Sequence, residues 1–291
     1  MLQTNIPTKK LKSGFEMPVF GIGTWRMGGD MTRNVDNDDK ADITAIQTAI
    51  GAGITHIDTA ERYAAGHSEE LVGEAIQDFD RKKLFIVSKV APYNLTYDAV
   101  LKSAQESLKR LNTDYFDLYL IHAPSYDDVP INETMKAMNY LVDNGYTKDI
   151  GVSNFNNERF HEAQDSSAHK IVANQLHYNL MIREIERKKV LEFSQKNDIM
   201  VIAWRPVQKG SILDNKMLTE MATKYNKTPS QIAINWLISQ NNVVTLSKMR
   251  SIDHIKENLG AIGWSLEKED IELLRNEFPG QKDVSDAVPL I

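Results

Sequence analysis

Eight short, almost wholly apolar runs recur along the chain, at residues 19–24, 54–59, 84–90, 116–122, 149–154, 171–176, 199–204 and 243–247. Runs of this length without polar alternation are what strands covered on both faces require, which is the condition of a parallel sheet. Between them the apolar residues switch to helical spacing: Ile43, Ile46 and Ile50, then Tyr97, Val100, Leu101, Ala104, Leu108 and Leu111, then Met135, Met138, Leu141 and Val142 before Gly145. Repeats of about 30 residues suit strand–helix units, because parallel neighbours need a crossover of a dozen residues or more. Eight such units predict an α/β chain closed into a (β/α)8 TIM barrel, with a doubly wound open sheet as the alternative.

The segments outside the repeat are also readable. Residues 8–18 pair a basic run at Lys9, Lys10 and Lys12 with a Ser13-Gly14 turn, predicting a β-hairpin ahead of the barrel. The long interval before the eighth run holds two helices, 216–225 and one opened by Thr228-Pro229-Ser230-Gln231, where Thr228 is the N-cap and Gln231 its reciprocating partner. A last helix starts near Ser265, with Glu267, Glu269 and Asp270 favouring its N-terminal end. No linker or low-complexity tract divides the chain, so residues 1–291 read as one domain with extra C-terminal helices.

Composition removes several classes of function. There is no cysteine, which excludes disulfides, thiol catalysis and cysteine-ligated metals and fits a reducing, cytoplasmic setting. A net charge of −6 gives no general basic surface for nucleic acid or an anionic membrane, and no stretch reaches the length of a membrane span. No His/Asp/Glu cluster shows metal-ligand spacing.

In a barrel the C-terminal ends of the strands carry the chemistry, and polar groups collect there: Asp58, Lys89, His122, Ser153, Asn154, Gln175 and, after the last run, Lys248. Singly, His122 reads as a core or loop histidine and Lys89 as a strand-end side chain reaching for water. A turn that sets Asp58 five residues before Tyr63 joins them. Asp58, Tyr63, Lys89 and His122 together resemble the catalytic tetrad of the aldo-keto reductases. The flanking DTAERY, Gly66-His67-Ser68-Glu69, SKV, LYLIH, GVSNF and NQLHYN follow in that family's order, and the resemblance runs from Gly21-Ile22-Gly23-Thr24-Trp25 to about Leu259.

The resemblance implies reversible reduction of an aldehyde or ketone. Hydride addition to a carbonyl leaves an alkoxide that an acid must protonate. Tyr63 is the implied proton donor, with the Lys89 ammonium expected to lower its pKa, Asp58 to hold Lys89, and a neutral His122 to donate a hydrogen bond to the carbonyl oxygen.

The implied hydride carrier is NADPH/NADP+, with NADH tolerated. A dinucleotide fingerprint is missing, since Arg26 stands where Gly21-Ile22-Gly23 needs its third glycine, which tells against the doubly wound sheet. By resemblance Gly23, Thr24 and Trp25 line the cofactor, Ser153, Asn154 and Gln175 bind its carboxamide, and Trp204 stacks on the nicotinamide beside Arg205 and Pro206. Amides around Gln208, Lys209, Gly210 and Ser211 bind the pyrophosphate, Lys248 the 2′-phosphate, and Glu257 and Asn258 the adenine. Met249 and His254 replace the serine or threonine and the arginine expected near that lysine, and Arg250 offers a compensating guanidinium.

For the substrate, Trp25 is retained, but Ala91 and Ala123 stand where relatives carry tryptophans, each about 150 Å² or more of aromatic wall. With Arg62 and Arg205 at the mouth, the expected substrate is a small-molecule carbonyl that is polar or bulky, sugar-derived or an oxo-acid. A monomer or weak homo-oligomer is expected. The alternatives are a nicotinamide-sensing subunit on the same fold, as in potassium-channel β subunits, and a hydrolase or lyase using Asp58 and Glu61, which leaves Lys89 unexplained.

Overall fold

The computed structural model describes residues 4–290; residues 1–3 and 291 of the expected domain lie outside them. A two-stranded antiparallel hairpin, β1 (Thr8–Lys10) and β2 (Glu16–Pro18), precedes eight parallel strands that close into a barrel. These are β3 (Phe20–Gly23), β4 (His56–Asp58), β5 (Phe85–Val90), β6 (Phe116–Ile121), β7 (Thr147–Ser153), β8 (Ile171–His177), β9 (Met200–Trp204) and β10 (Val243–Ser247), with β10 pairing back onto β3. Outside them run α1 (Asp39–Gly51), α2 (His67–Ala75), α3 (Tyr97–Leu111), α4 (Ile131–Asp143), α5 (Asn157–Asp165), α6 (Glu184–Arg187), α7 (Val190–Lys196), α8 (Lys216–Tyr225), α9 (Pro229–Ile238), α10 (Ile252–Leu259) and α11 (Lys268–Glu277).

The apolar patterning is realised as barrel packing. Ile46 and Ile50 of α1, Val100, Ala104, Leu108 and Leu111 of α3, and Met135, Met138 and Leu141 of α4 are buried against the outer faces of the strands. Inside, Val87, Leu118, Leu120, Met200, Ile202, Val244 and Leu246 fill the lower barrel, and the hairpin's Leu11, Phe15 and Met17 close its base. Lys9, expected in a basic run, is instead drawn under the barrel to donate to the carbonyls of Ile238, Gln240 and Val243, and burial lowers its pKa to about 8.

The capping box opening α9 forms as expected, with Thr228 and Gln231 reciprocally bonded. Three boundaries differ from the sequence reading. The second strand is trimmed to three residues, α11 starts at Lys268 behind Glu267, and the interval between β8 and β9 divides into α6 and α7. Beyond α11, residues 281–290 fold back onto the barrel without regular structure: Ser285 N and Leu290 N donate to the buried Glu184 carboxylate. Among the described residues no helix is long and apolar enough to cross a membrane.

Candidate active site

Strand register brings the first cluster together. Asp58 pairs with Val87 on β5, so Lys89, two residues further along, projects from the same face of the sheet one step nearer the barrel mouth. Lys89 Nζ lies 2.6 Å from Asp58 Oδ1, 2.8 Å from the Thr59 carbonyl and 3.2 Å from the Tyr63 hydroxyl, filling its three donor positions. Tyr63 is delivered by a tight turn after β4 in which Ala64 and Ala65 take positive φ and Ala64 N donates to the Asp30 carbonyl. Its ring meets Trp25 edge-on at 4.9 Å and His122 at 5.5 Å.

A further layer fixes the cluster. Ser68 at the start of α2 donates to Thr24 Oγ1, and the fully buried Glu69 accepts from Ser88 on β5 and from Arg110 Nε. His67 bridges Asp39 of α1 and Glu70, at 2.7 and 2.6 Å. The Gly66-His67-Ser68-Glu69 stretch therefore ties α2 to the strands that hold Asp58 and Lys89.

Burial and charge set the protonation states. Burial opposes the charge on Lys89, but Asp58 and the Tyr63 phenol more than offset it, and the ammonium is held above its ordinary range. Desolvation, with the charges of Lys89 and Arg62, keeps His122 well below the usual histidine range, hence neutral. Tyr63 departs from the sequence reading. Burial raises its pKa, and the opposing Lys89 charge does not overcome that. In the protein alone the phenol keeps its proton more firmly than a free tyrosine.

Asn154 Oδ1 and His122 Nδ1 near this cluster are among the buried polar atoms that have no partner among the described residues. Asn154 takes φ +62, donating to Ser153 Oγ and to the His122 carbonyl. Ser153 in turn donates to the Gln175 carbonyl. Gln175, expected on a carboxamide, gives its Nε2 to Asp58 Oδ2 at 2.7 Å, so its amide donor orients the carboxylate. That role was not readable from the sequence, where Gln175 lies 117 residues from Asp58.

The other side of the mouth is assembled around Trp204. His177 lies opposite it in the β8–β9 register, and the rings stack at 4.0 Å, with Arg205 5.0 Å from the indole. His177 Nε2 bonds Gln208 Oε1 at 2.9 Å and Nδ1 bonds the Ser285 hydroxyl at 2.7 Å. Because the amide oxygen only accepts, Nε2 carries the ring proton. Burial pushes His177 down to about 4. Gln208 Nε2 then donates to Asp286 of the tail at 2.8 Å. The amides of Gln208, Gly210 and Ser211 close turns onto the carbonyls of Arg205, Val207 and Gln208, so this loop presents fewer free amides than expected. Lys209 is exposed, and Pro206 is buried.

At the end of β10, no hydrogen-bond acceptor among the described residues sits within reach of Lys248 Nζ. Burial, then Arg250 and Arg26, lower its pKa. Arg26 is a cation that the sequence reading had only as a missing glycine. The Met249 side chain is fully buried in the core beside Ile255, and Arg250 is engaged by Asp42, Nε to Oδ1 at 2.7 Å. Ser251 caps α10 by accepting from His254 N, Glu257 is half-exposed, and Asn258 is buried. Gly23 and Thr24 end β3, and Thr24 donates to the Asp58 carbonyl. Ala91 and Ala123, just after β5 and β6, are both buried.

Known proteins share this architecture. The sequence profile of the Aldo/keto reductase family matches residues 19–276. The chain is 33% identical over 272 residues to the methylglyoxal reductase YeaE of Escherichia coli K12, covering 91% of this chain and 93% of that protein. Its structure superposes with a TM-score of 0.89 on the thermostable aldo-keto reductase Tm1743, solved with the inhibitor epalrestat, at 42% identity over 93% of this chain and 99% of that one. It superposes with a TM-score of 0.85 on an aldo/keto reductase from Klebsiella pneumoniae in complex with NADP and acetate, at 30% identity over 98% and 99% of the two chains.

Proposed function

Since the chain belongs to the aldo/keto reductase family, we propose that it reduces aldehydes and ketones to alcohols at the cluster of Asp58, Tyr63, Lys89 and His122, using NADPH. The observation that carries this reading is Lys89 Nζ, 2.6 Å from Asp58 and 3.2 Å from the Tyr63 hydroxyl, at the C-terminal end of the barrel. The residues present suit a nicotinamide cofactor. Asn154 Oδ1 is a buried acceptor without a donor, as a carboxamide NH₂ requires, and among the described residues the exposed Lys248 ammonium has no carboxylate within ion-pair distance. An NADP complex of the Klebsiella relative supports the choice of cofactor. Bound there, the dinucleotide supplies the hydride.

The chain's own residues supply the rest. Tyr63, protonated at neutral pH, donates its proton to the carbonyl oxygen as negative charge develops, and the Lys89 ammonium stabilises the phenolate that remains. Asp58 keeps Lys89 charged in a buried site, with Gln175 orienting the carboxylate. Neutral His122 orients the carbonyl oxygen by donating a hydrogen bond. In alcohol oxidation the tyrosinate takes the proton back.

Ala91 and Ala123 leave the pocket wide, and Arg62 makes it polar, which favours bulky or polar carbonyls, sugar-derived or oxo-acid, over short alkyl aldehydes. Methylglyoxal reduction by a relative fits a polar carbonyl. Steady-state NADPH oxidation over a carbonyl panel, beside Tyr63→Phe, tests the assignment. Loss of the hydroxyl is expected to lower kcat by about 10²- to 10⁴-fold. Full turnover in that variant would remove Tyr63 as the acid, and NADPH binding without turnover in the wild type would favour the sensing reading.

A further inference from the structure

Arg62 stands one residue before Tyr63, yet no described residue forms an ion pair with it. Its neighbour Glu61 turns away, its Oε1 accepting from Ala91 N at 2.6 Å and from Asn94 Nδ2 at 3.1 Å. Among the described residues no carboxylate lies within ion-pair distance of Arg62. One arm of the guanidinium, Nη1, donates to the Tyr126 hydroxyl at 3.2 Å, and Nε is buried with no acceptor at all. Arg62 precedes Tyr63 directly in the turn after β4, and its charge acts to lower the pKa of both Tyr63 and His122. Tyr126 is held over this spot by its own amide, which donates to the Pro92 carbonyl, and Tyr126 and Tyr93 stand 59% and 52% exposed at the rim. A buried guanidinium donor without an acceptor is costly. Nη2 has no hydrogen-bond partner among the described residues and is not buried, so the terminal edge of the guanidinium is open to an acceptor that enters the pocket.

Resting on the carbonyl-reductase reading above, the geometry points to an oxo-carboxylate as the substrate, with its carboxylate on Arg62 and its carbonyl oxygen between Tyr63 and His122. Arginine's planar fork matches a carboxylate and leaves two N–H groups parallel for it, while the small Ala91 and Ala123 side chains give room for the bonds between the two groups. In the reaction the carbonyl carbon gains the hydride of NADPH and the oxygen gains the Tyr63 proton, giving a hydroxy-carboxylate and NADP+. The carboxylate itself is unchanged.

The test compares 4-carboxybenzaldehyde with methyl 4-formylbenzoate, which differ in the charge and not in the aldehyde. Wild-type kcat/KM is expected to favour the acid by about tenfold or more, with an advantage that shrinks as salt is added. Arg62→Gln should cut the acid-to-ester ratio by about 10- to 100-fold, acting through KM, and Arg62→Lys should fall between. Tyr126→Phe, a change at the rim, should lower the ratio in the same direction by less, guarding against an Arg62 variant that fails to fold. An ester favoured by the wild type, or equal losses for acid and ester in Arg62→Gln, overturns the inference while leaving the reductase reading intact. Equal losses would mean that Arg62 acts through the Tyr63 proton. No turnover of either compound or of the carbonyl panel overturns both.

Discussion

The two sides of the barrel mouth are built by different means. On the β4–β6 side, Asp58, Tyr63 and Lys89 are buried together, joined by an ion pair and by carbonyls at the ends of adjacent strands. On the β8–β10 side, Trp204 and Gln208 are held through His177 to Ser285 and Asp286, residues 108 and 78 positions away in a tail without regular structure. Strand register places Asp58 and Lys89, and the short turn after β4 adds Tyr63. The second needs a chain end to fold back and make side-chain bonds at a half-exposed rim. The side proposed for proton donation is thus pre-organised by the sheet and its first turn, while the side proposed for the cofactor is held by contacts that can loosen locally without opening the barrel.

This contrast predicts that the largest losses follow changes on the first side. Asp58→Asn leaves the fully buried Lys89 ammonium without its counter-charge. Unfolding by denaturant should show a loss of about 3–5 kcal/mol, because removing one partner of a buried pair strands the other. Reductase kcat should fall by about 10²-fold or more in the same variant. A loss of stability no greater than that of tail variants would break the comparison.

The histidines sharpen it. His56 and His177 are both pushed down to about 4 by burial, but His56 has no partner on either ring nitrogen, whereas His177 is bonded to Gln208 and Ser285. A free histidine titrates near 6.5. The unfolded chain therefore takes up the proton first as pH falls, so the stability linked to each neutral ring is complete above about pH 6.5 and is lost as pH drops towards 4, by about 3 kcal/mol per ring. His56→Leu removes its share of that acid sensitivity and loses no hydrogen bond, so stability at neutral pH should hold or rise. His177→Leu strands buried polar groups and should cost about 1–3 kcal/mol at neutral pH. Denaturant midpoints across pH 4–7 check both, and a steep acid limb persisting in His56→Leu would remove His56 from the account.

The same contrast explains what could be read from the chain. Eight apolar runs and the helical spacing of α1, α3 and α4 made the strand–helix repeat legible because each signal is local in the chain, and pairing of β10 with β3 shows its closure. Asp58, Tyr63, Lys89 and His122 were legible because strand ends and the DTAERY turn bring them into range. Gln175 as the orienter of Asp58 was not, since its place depends on barrel closure across 117 residues. Asp286 and Ser285 carry no periodicity or motif to mark them. Nor does spacing after β10, which gives the order of side chains, say which one turns into the core, as Met249 does, or which meets a buried carboxylate, as Arg250 does at Asp42. The protonation of Tyr63 also eluded the sequence, because the balance between its burial and the Lys89 charge is set by packing.

On the second side the expected effects are smaller and concern cofactor affinity. Lys248→Ala removes a cation that no acceptor among the described residues satisfies, and should weaken NADPH binding by about tenfold while leaving NADH within twofold, measured by fluorescence titration. Equal changes for both cofactors would detach Lys248 from the 2′-phosphate.

The smallest change is Asp286→Asn. The Asp286 carboxylate accepts from Gln208, lies 3.9 Å from Arg205, and has its pKa lowered, against burial, by Gln208, His177, Lys282 and Arg205, so it is charged at neutral pH. Asparagine keeps an acceptor for Gln208 and removes the charge. With that anion gone from beside a loop proposed to receive phosphates, NADPH should bind about two- to fivefold more tightly, an effect that added salt erases, because exposed charge interactions are weak and screened. Stability should change by less than about 1 kcal/mol. Weaker binding would instead mean that the charged tail orders the loop for the cofactor, and the second side would then be as pre-organised as the first.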